Sequence, residues 1–207
     1  MNYTTLVANI KNFMEDDSTE FSNSIDQIIA QAEEMIFQRL PSLPCYRSSV
    51  TGNMAIGTAA YTIPSVRMIR QVSITNSNNL IFLDHRIDSY LRDYFPNPAT
   101  QGTPEVYSTD SSAIAGTTIT VAPTPDAAYS YEADIIAPET GLSSSNANSW
   151  IGDNAENVLL SAALYESSAF LKASETLNFY KGQFDEAVQL FQQEMARNYT
   201  AEYNGGI

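Results

Sequence analysis

Two helical patterns near the end of the chain limit what it can fold into. Between Trp150 and Asn198 the residues read as two long helices joined near Ala173–Thr176. In the second, Leu177, Tyr180, Phe184, Ala187, Val188, Phe191 and Met195 fall at steps of 3, 4, 3, 1, 3 and 4, one face of a 3.6-residue period. In the first, Val158, Ala162, Tyr165, Ala169 and Lys172 recur at helical spacing beside Leu159, Ala163 and Phe170. That stripe is broad, as in a helix touched on more than one side. Asp153 or Asn154 offers an N-cap acceptor. Two such helices do not bury both apolar faces on each other, so the pattern requires further helical partners.

The N-terminal end supplies them. Residues 3–15 predict a helix with Leu6, Val7, Ile10 and Phe13 on one face. A second, from about Phe21 to Arg39, carries the stripe Ile25, Ile28, Ile29, Ala32, Met35, Ile36 and Leu40. Gln27, Gln31, Glu33, Glu34 and Gln38 cover its outside. Pro41 and Pro44 end it, because proline removes a donor and biases the preceding residue away from helix.

Between the helix pairs the period changes. Tyr46–Thr51, Ala59–Ile63, Met68–Thr75, Asn79–Leu83, Glu105–Thr109, Thr117–Val121 and Tyr129–Ile136 read as strands. Gly52-Asn53, Asn76-Ser77-Asn78 and Ala115-Gly116 read as turns. A short helix with Ile87, Tyr90, Leu91 and Tyr94 on one face interrupts them, and a polar linker over 137–149 leads back to the helices. The fold class expected is α+β: a four-helix bundle from the N- and C-terminal helix pairs, with an antiparallel β-sandwich or barrel-like insertion between them. The divisions expected are residues 1–44, 45–149 and 150–197, then a tail over 198–207 that leaves the helix. A frayed tail is usually inert. Tyr199, Tyr203 and Ile207 make this one a candidate for docking on a partner.

Charge narrows the function. The formal net charge is −14 and no basic cluster occurs, which argues against tight nucleic-acid binding. Hydrophobic residues make up 43% and charged ones 16%, the balance of a folded globule. No apolar run is long enough to span a membrane, and no secretory leader is visible in the first residues. With Cys45 as the single cysteine, no intrachain disulfide is possible. Glu15-Asp16-Asp17-Ser18 reads as a solvated turn supplying capping acceptors rather than a cation site, since no calcium-loop spacing follows. Asp84, His85 and Asp88 are the only candidates for acid–base chemistry. With Arg86 and Arg92 beside them and no nucleophile motif, ordinary ion pairing outweighs catalysis. No catalytic residue, metal or cofactor is expected.

Three words in the loops carry a resemblance. They are Tyr94-Phe95-Pro96-Asn97-Pro98-Ala99-Thr100-Gln101-Gly102-Thr103-Pro104-Glu105-Val106-Tyr107, Val121-Ala122-Pro123-Thr124-Pro125-Asp126-Ala127-Ala128-Tyr129, and Ser149-Trp150-Ile151-Gly152-Asp153-Asn154-Ala155. Their order resembles the head-to-tail adaptor (connector) proteins of tailed bacteriophages, podovirus-like in kind. The opening Tyr3-x-x-Leu6-Val7 and Gln31-Ala32-Glu33-Glu34-Met35-Ile36 are similar too. Physically, the first two words pin loops beside strands, and Trp150 is expected to pack the third helix against the β layer.

The resemblance implies a structural virion protein at the head–tail interface, made in the host cytoplasm. It implies a closed ring of about twelve copies below the portal protein. It further implies contacts with tail nozzle, tube or fibre proteins, and a channel that passes genomic DNA without specific binding. Tyr199, Tyr203 and Ile207 would then face the portal. The alternative is a tail-terminator or fibre-docking neck protein that does not contact the portal.

Overall fold

The computed structural model describes residues 1–64, 66–110 and 116–204, with the backbone alone from residue 198 on. In chain order the helices are α1 (Tyr3–Met14), α2 (Thr19–Arg39), α3 (Asp88–Tyr94), α4 (Trp150–Asn154), α5 (Glu156–Phe170) and α6 (Ser174–Asn204). The strands are β1 (Arg47–Met54), β2 (Ala60–Pro64), β3 (Met68–Asn76), β4 (Asn79–His85), β5 (Gln101–Gly102), β6 (Val106–Asp110), β7 (Gly116–Ala122), β8 (Thr124–Pro125) and β9 (Tyr129–Ile136). They form two compact units, Met1–Pro41 with Pro138 onward, and Ser42–Ala137.

In the helical unit α1, α2 and α6 all pack on α5. Ala162, Ala163, Ser167 and Ser168 of α5 are fully buried, and such small side chains let three neighbours approach one helix closely. Buried Ser167 returns its hydroxyl to the Ala163 carbonyl at 2.7 Å, so its polarity is satisfied inside the helix. The α6 stripe is the one its period predicts, with Tyr180, Phe184, Val188 and Phe191 buried. On α2, Phe21 and Phe37 join the expected isoleucines in the core.

Three helix boundaries differ from the sequence reading. The first C-terminal helix is split at Ala155 (φ −136°, ψ 45°) into α4 and α5. Its cap is Ser149, whose hydroxyl accepts from the Gly152 N–H at 3.0 Å, rather than Asp153 or Asn154. A side chain at Gly152 would collide with the Met1 carbonyl. The α5–α6 joint falls just before the expected segment, with Lys172 in the left-handed region (φ 54°). Lys172, Ala169 and Phe170 are therefore exposed, and Leu164, Ser167 and Ser168 take the buried positions. Finally, α6 does not stop near Asn198 but continues to Asn204. No proline or glycine intervenes before Gly205-Gly206, so nothing in the covalent chain ends it earlier.

The second unit is a nearly closed, barrel-like sheet of order β1-β9-β3-β4-β6-β7-β2. All seven long strands lie where the alternation puts them. Their inward residues, among them Met54, Ile63, Val72, Ile74, Ile119 and Ala133, form one core. The sheet is not wholly antiparallel as expected: β4 and β6 run parallel, Asp84 beside Val106 and His85 beside Tyr107. The chain between them carries α3 and a loop, a crossover that brings β6 back in the direction of β4. A second parallel pair, β5 with β8, was not legible in the sequence because each strand has two residues.

Of the expected turns, Asn76-Ser77-Asn78 holds. Asn76 pairs with Asn79, and Ser77 and Asn78 both have positive φ (51° and 68°), the type I′ geometry that suits strand twist. Gly52-Asn53 is instead inside β1, opposite Tyr131 and Ser130. A Cβ at Gly52 would stand 2.6 Å from the Tyr131 ring, so the glycine makes room for a cross-strand aromatic rather than a bend. Ala115 lies outside the described residues. Gly116 opens β7 at φ 148°, where a side chain would strike the Ile63 carbonyl.

Candidate functional site

Two carboxylates hold the returning segment onto the helices. Glu33 of α2 accepts from the Leu142 N–H with both oxygens, at 3.0 and 3.2 Å. Glu139 accepts from the Trp150 and Ile151 N–H groups at 3.1 and 3.4 Å, orphan donors of the first turn of α4. Sequence periodicity puts Glu33 on the solvent side of α2. The structure corrects this: the segment that begins at Pro138 covers it. Burial raises its pKa to about 7, with the Glu139 charge adding and the Leu142 N–H opposing. Close by, Asn146 donates to the carbonyls of Thr140 and Gly141 at 2.9 and 3.0 Å. The Tyr3 N–H donates to Ala147 at 2.9 Å, and the Tyr3 hydroxyl donates to Asp26, which pushes the phenol up to about 12. These contacts fasten the segment after Pro138 to α1 and α2.

The loop words serve local structure. Thr124 donates to the Pro98 carbonyl at 2.8 Å, Thr103 and Tyr129 share a hydroxyl contact at 3.1 Å, and β5 pairs with β8. They fasten the loop ahead of β6 as the sequence predicts. Trp150 meets Phe191 of α6 edge-on at 6.4 Å between ring centroids, a partner within the helical unit.

The acid–base candidates are not gathered into a site. Asp84 pairs with Arg86 at 3.2 Å and Asp88 with Arg92 at 2.7 Å, the ion pairing expected of them. His85 is exposed, its ring 5.1 Å from that of Tyr107 and its Nε2 3.3 Å from the Thr109 hydroxyl. At the acidic turn, Asp16 accepts from the Ser18 N–H at 2.8 Å, which holds its carboxyl below the usual range. Ser18 in turn caps α2 by accepting from Phe21 at 3.3 Å. Among the described residues no three His, Cys, Asp or Glu side chains are placed to hold a metal ion. No helix among the described residues is long and apolar enough to cross a membrane.

The docking candidates Tyr199 and Tyr203 fall within the span of α6, and their side chains lie outside the described residues, as does Ile207 altogether. One surface feature was missed by sequence reasoning. A trough of about 740 Å³ opens in the helical unit, with Phe13 of α1 and Leu190 of α6 among its lining. Leu190 is an apolar residue off the buried stripe of its helix, and that misplacement was the available signal.

A comparison with curated proteins returned no match. The sequence model of the SU10 adaptor protein family, a structural family of phage adaptors and not an enzyme family, matches residues 1–205. Virtually every residue of both units is covered by that match, and the chain therefore belongs to the SU10 adaptor protein family.

Proposed function

We propose that the chain is a head-to-tail adaptor that assembles as a ring of about twelve copies below the portal, joins it to tail components and continues the DNA channel. Family membership over residues 1–205 carries this reading. It sits at the virion neck, with the N- and C-terminal helix pairs acting as one bundle in each copy. Tyr199, Tyr203 and Ile207 contact the portal. The acidic balance of −14 suits the role. DNA carries about one charge per 1.7 Å of axis, and an acidic wall repels it within a Debye length of about 8 Å. DNA then slides without being held.

The test mixes the purified chain with the portal protein encoded beside it and measures the mass of the product, with and without residues 198–207. A defined ring-on-ring complex that is lost on truncation is the expected result. A complex that survives truncation removes the three tail residues from the interface. Absence of any complex with the full chain overturns the portal role and favours a tail-terminator or fibre-docking protein.

A further inference from the structure

The trough has a definite chemistry. Its floor is one face of α5, where Asn157, Leu160, Ser161 and Leu164 follow helical spacing. Phe13 and Leu190 stand beside it, 56% and 58% exposed. Single exposed apolar residues are ordinary, but two large ones beside a floor that contributes Leu160 and Leu164 make a patch. The charged lining is of one sign: Asp153, Glu156, Glu186 and Glu194, with no lysine, arginine or histidine. Glu156 lies 3.4 Å from the Met1 amino group. The other three carboxylates have no ion pair among the described residues.

We infer that this trough is the docking site of an amphipathic basic helix from another protein. A helix laid over α5 would bury Phe13 and Leu190 and bring its flanking cations to the four carboxylates. A second copy of this chain is a poor occupant on charge. The helical unit holds 5 basic against 16 acidic residues, so self-docking would set carboxylate against carboxylate. The inference deepens the adaptor reading and rests on it only in making the occupant a virion protein.

The probe is a fluorescent peptide of about eighteen residues, five helical turns. It carries leucines at i, i+3, i+4 and i+7 and lysines on the flanks; its twin has glutamates for the lysines. Anisotropy with the full chain should show saturable binding of one lysine peptide per chain and at least tenfold weaker binding of the twin. The exposed pair Phe13→Ser/Leu190→Ser should weaken binding tenfold or more while the circular dichroism stays unchanged. Glu186→Lys/Glu194→Lys should weaken it likewise. Asp93→Lys/Asp134→Lys, exposed acids of the β unit with the same change in net charge, should not. Equal loss from both charge pairs, or equal binding of the two peptides, overturns the inference. A concentration-dependent dimer abolished by Phe13→Ser/Leu190→Ser, without peptide binding, assigns the trough to a second copy and overturns it too. No portal enters this assay. Peptide binding without a portal complex sinks the adaptor reading alone, and the converse sinks this inference alone.

Discussion

Glu33 shows how one residue sets a pH response. Its carboxyl titrates near 7 in the folded chain against an ordinary value of 4.5. Between those values the folded state keeps a proton that the unfolded state has released. Stability therefore falls as pH rises from about 4.5 to about 7, and the cost persists above 7. Allowing for partial contact with water, that cost is on the order of 2 kcal/mol. Glu33→Gln keeps an acceptor for the Leu142 N–H and removes the ionisation. Urea unfolding at pH 5 and pH 8 should show the wild type losing stability between the two and the variant losing much less. Equal losses would mean the carboxyl is not covered as described. Glu33 stands four residues after Ile29 and three before Ile36, a spacing at the edge of the α2 stripe that its assignment to the outside overlooked. That a segment more than a hundred residues later covers it is not legible in the sequence, because local periodicity carries no information about what crosses over a helix. Capping is more local. Ser18→Ala removes the acceptor for the Phe21 N–H and should cost about 1 kcal/mol in the same assay.

At the scale of elements, α5 is the helix on which the unit is assembled, and its tolerance is set by its small residues. Ala163 is fully buried, so Ala163→Leu must push α5 away from a neighbour. A loss of about 1–3 kcal/mol is expected. Phe170→Leu, at a position 40% exposed, should stay within about 0.5 kcal/mol. A thermal scan of the two variants against wild type separates them; similar midpoints would refute the central packing of α5. The elements themselves were mostly legible. On β7 alternation decides the face, as Thr117, Ile119 and Val121 show, whereas β4 is apolar on both faces and its Leu80 and Phe82 are exposed. What escaped were relations between elements. The parallel pairing of β4 with β6 depends on where the α3 crossover delivers the chain, and the break at Ala155 depends on Ser149 capping a single turn.

At the scale of the molecule, the β unit is a nearly closed sheet whose chain begins and ends side by side. Its first and last strands are neighbours, Arg47 opposite Ile136, and the Ala137 N–H donates to the Tyr46 carbonyl at 2.9 Å. Both chain ends of the unit thus leave from one place, and the cluster that makes its main core consists of residues of this unit. Residues 42–137 expressed alone should fold, with a strand-type circular dichroism spectrum and one cooperative urea transition. In that fragment Ile119→Ala, at a fully buried position, should cost about 2–5 kcal/mol. A fragment with the collapsed amide dispersion of an unfolded chain would refute this. Two cores also mean that the full chain need not melt in one step. Calorimetry at pH 5 and pH 8 provides the sharper test, because the Glu33 carboxylate belongs to the helical unit alone. The raised groups of the β unit are the phenols of Tyr61, Tyr107 and Tyr129, pushed above their usual 10, and these do not ionise in that range. Raising the pH should lower the helical transition and leave the β transition in place. A common shift of both would show that the units unfold as one body, and the separate excision of the β unit would then fail for the same reason.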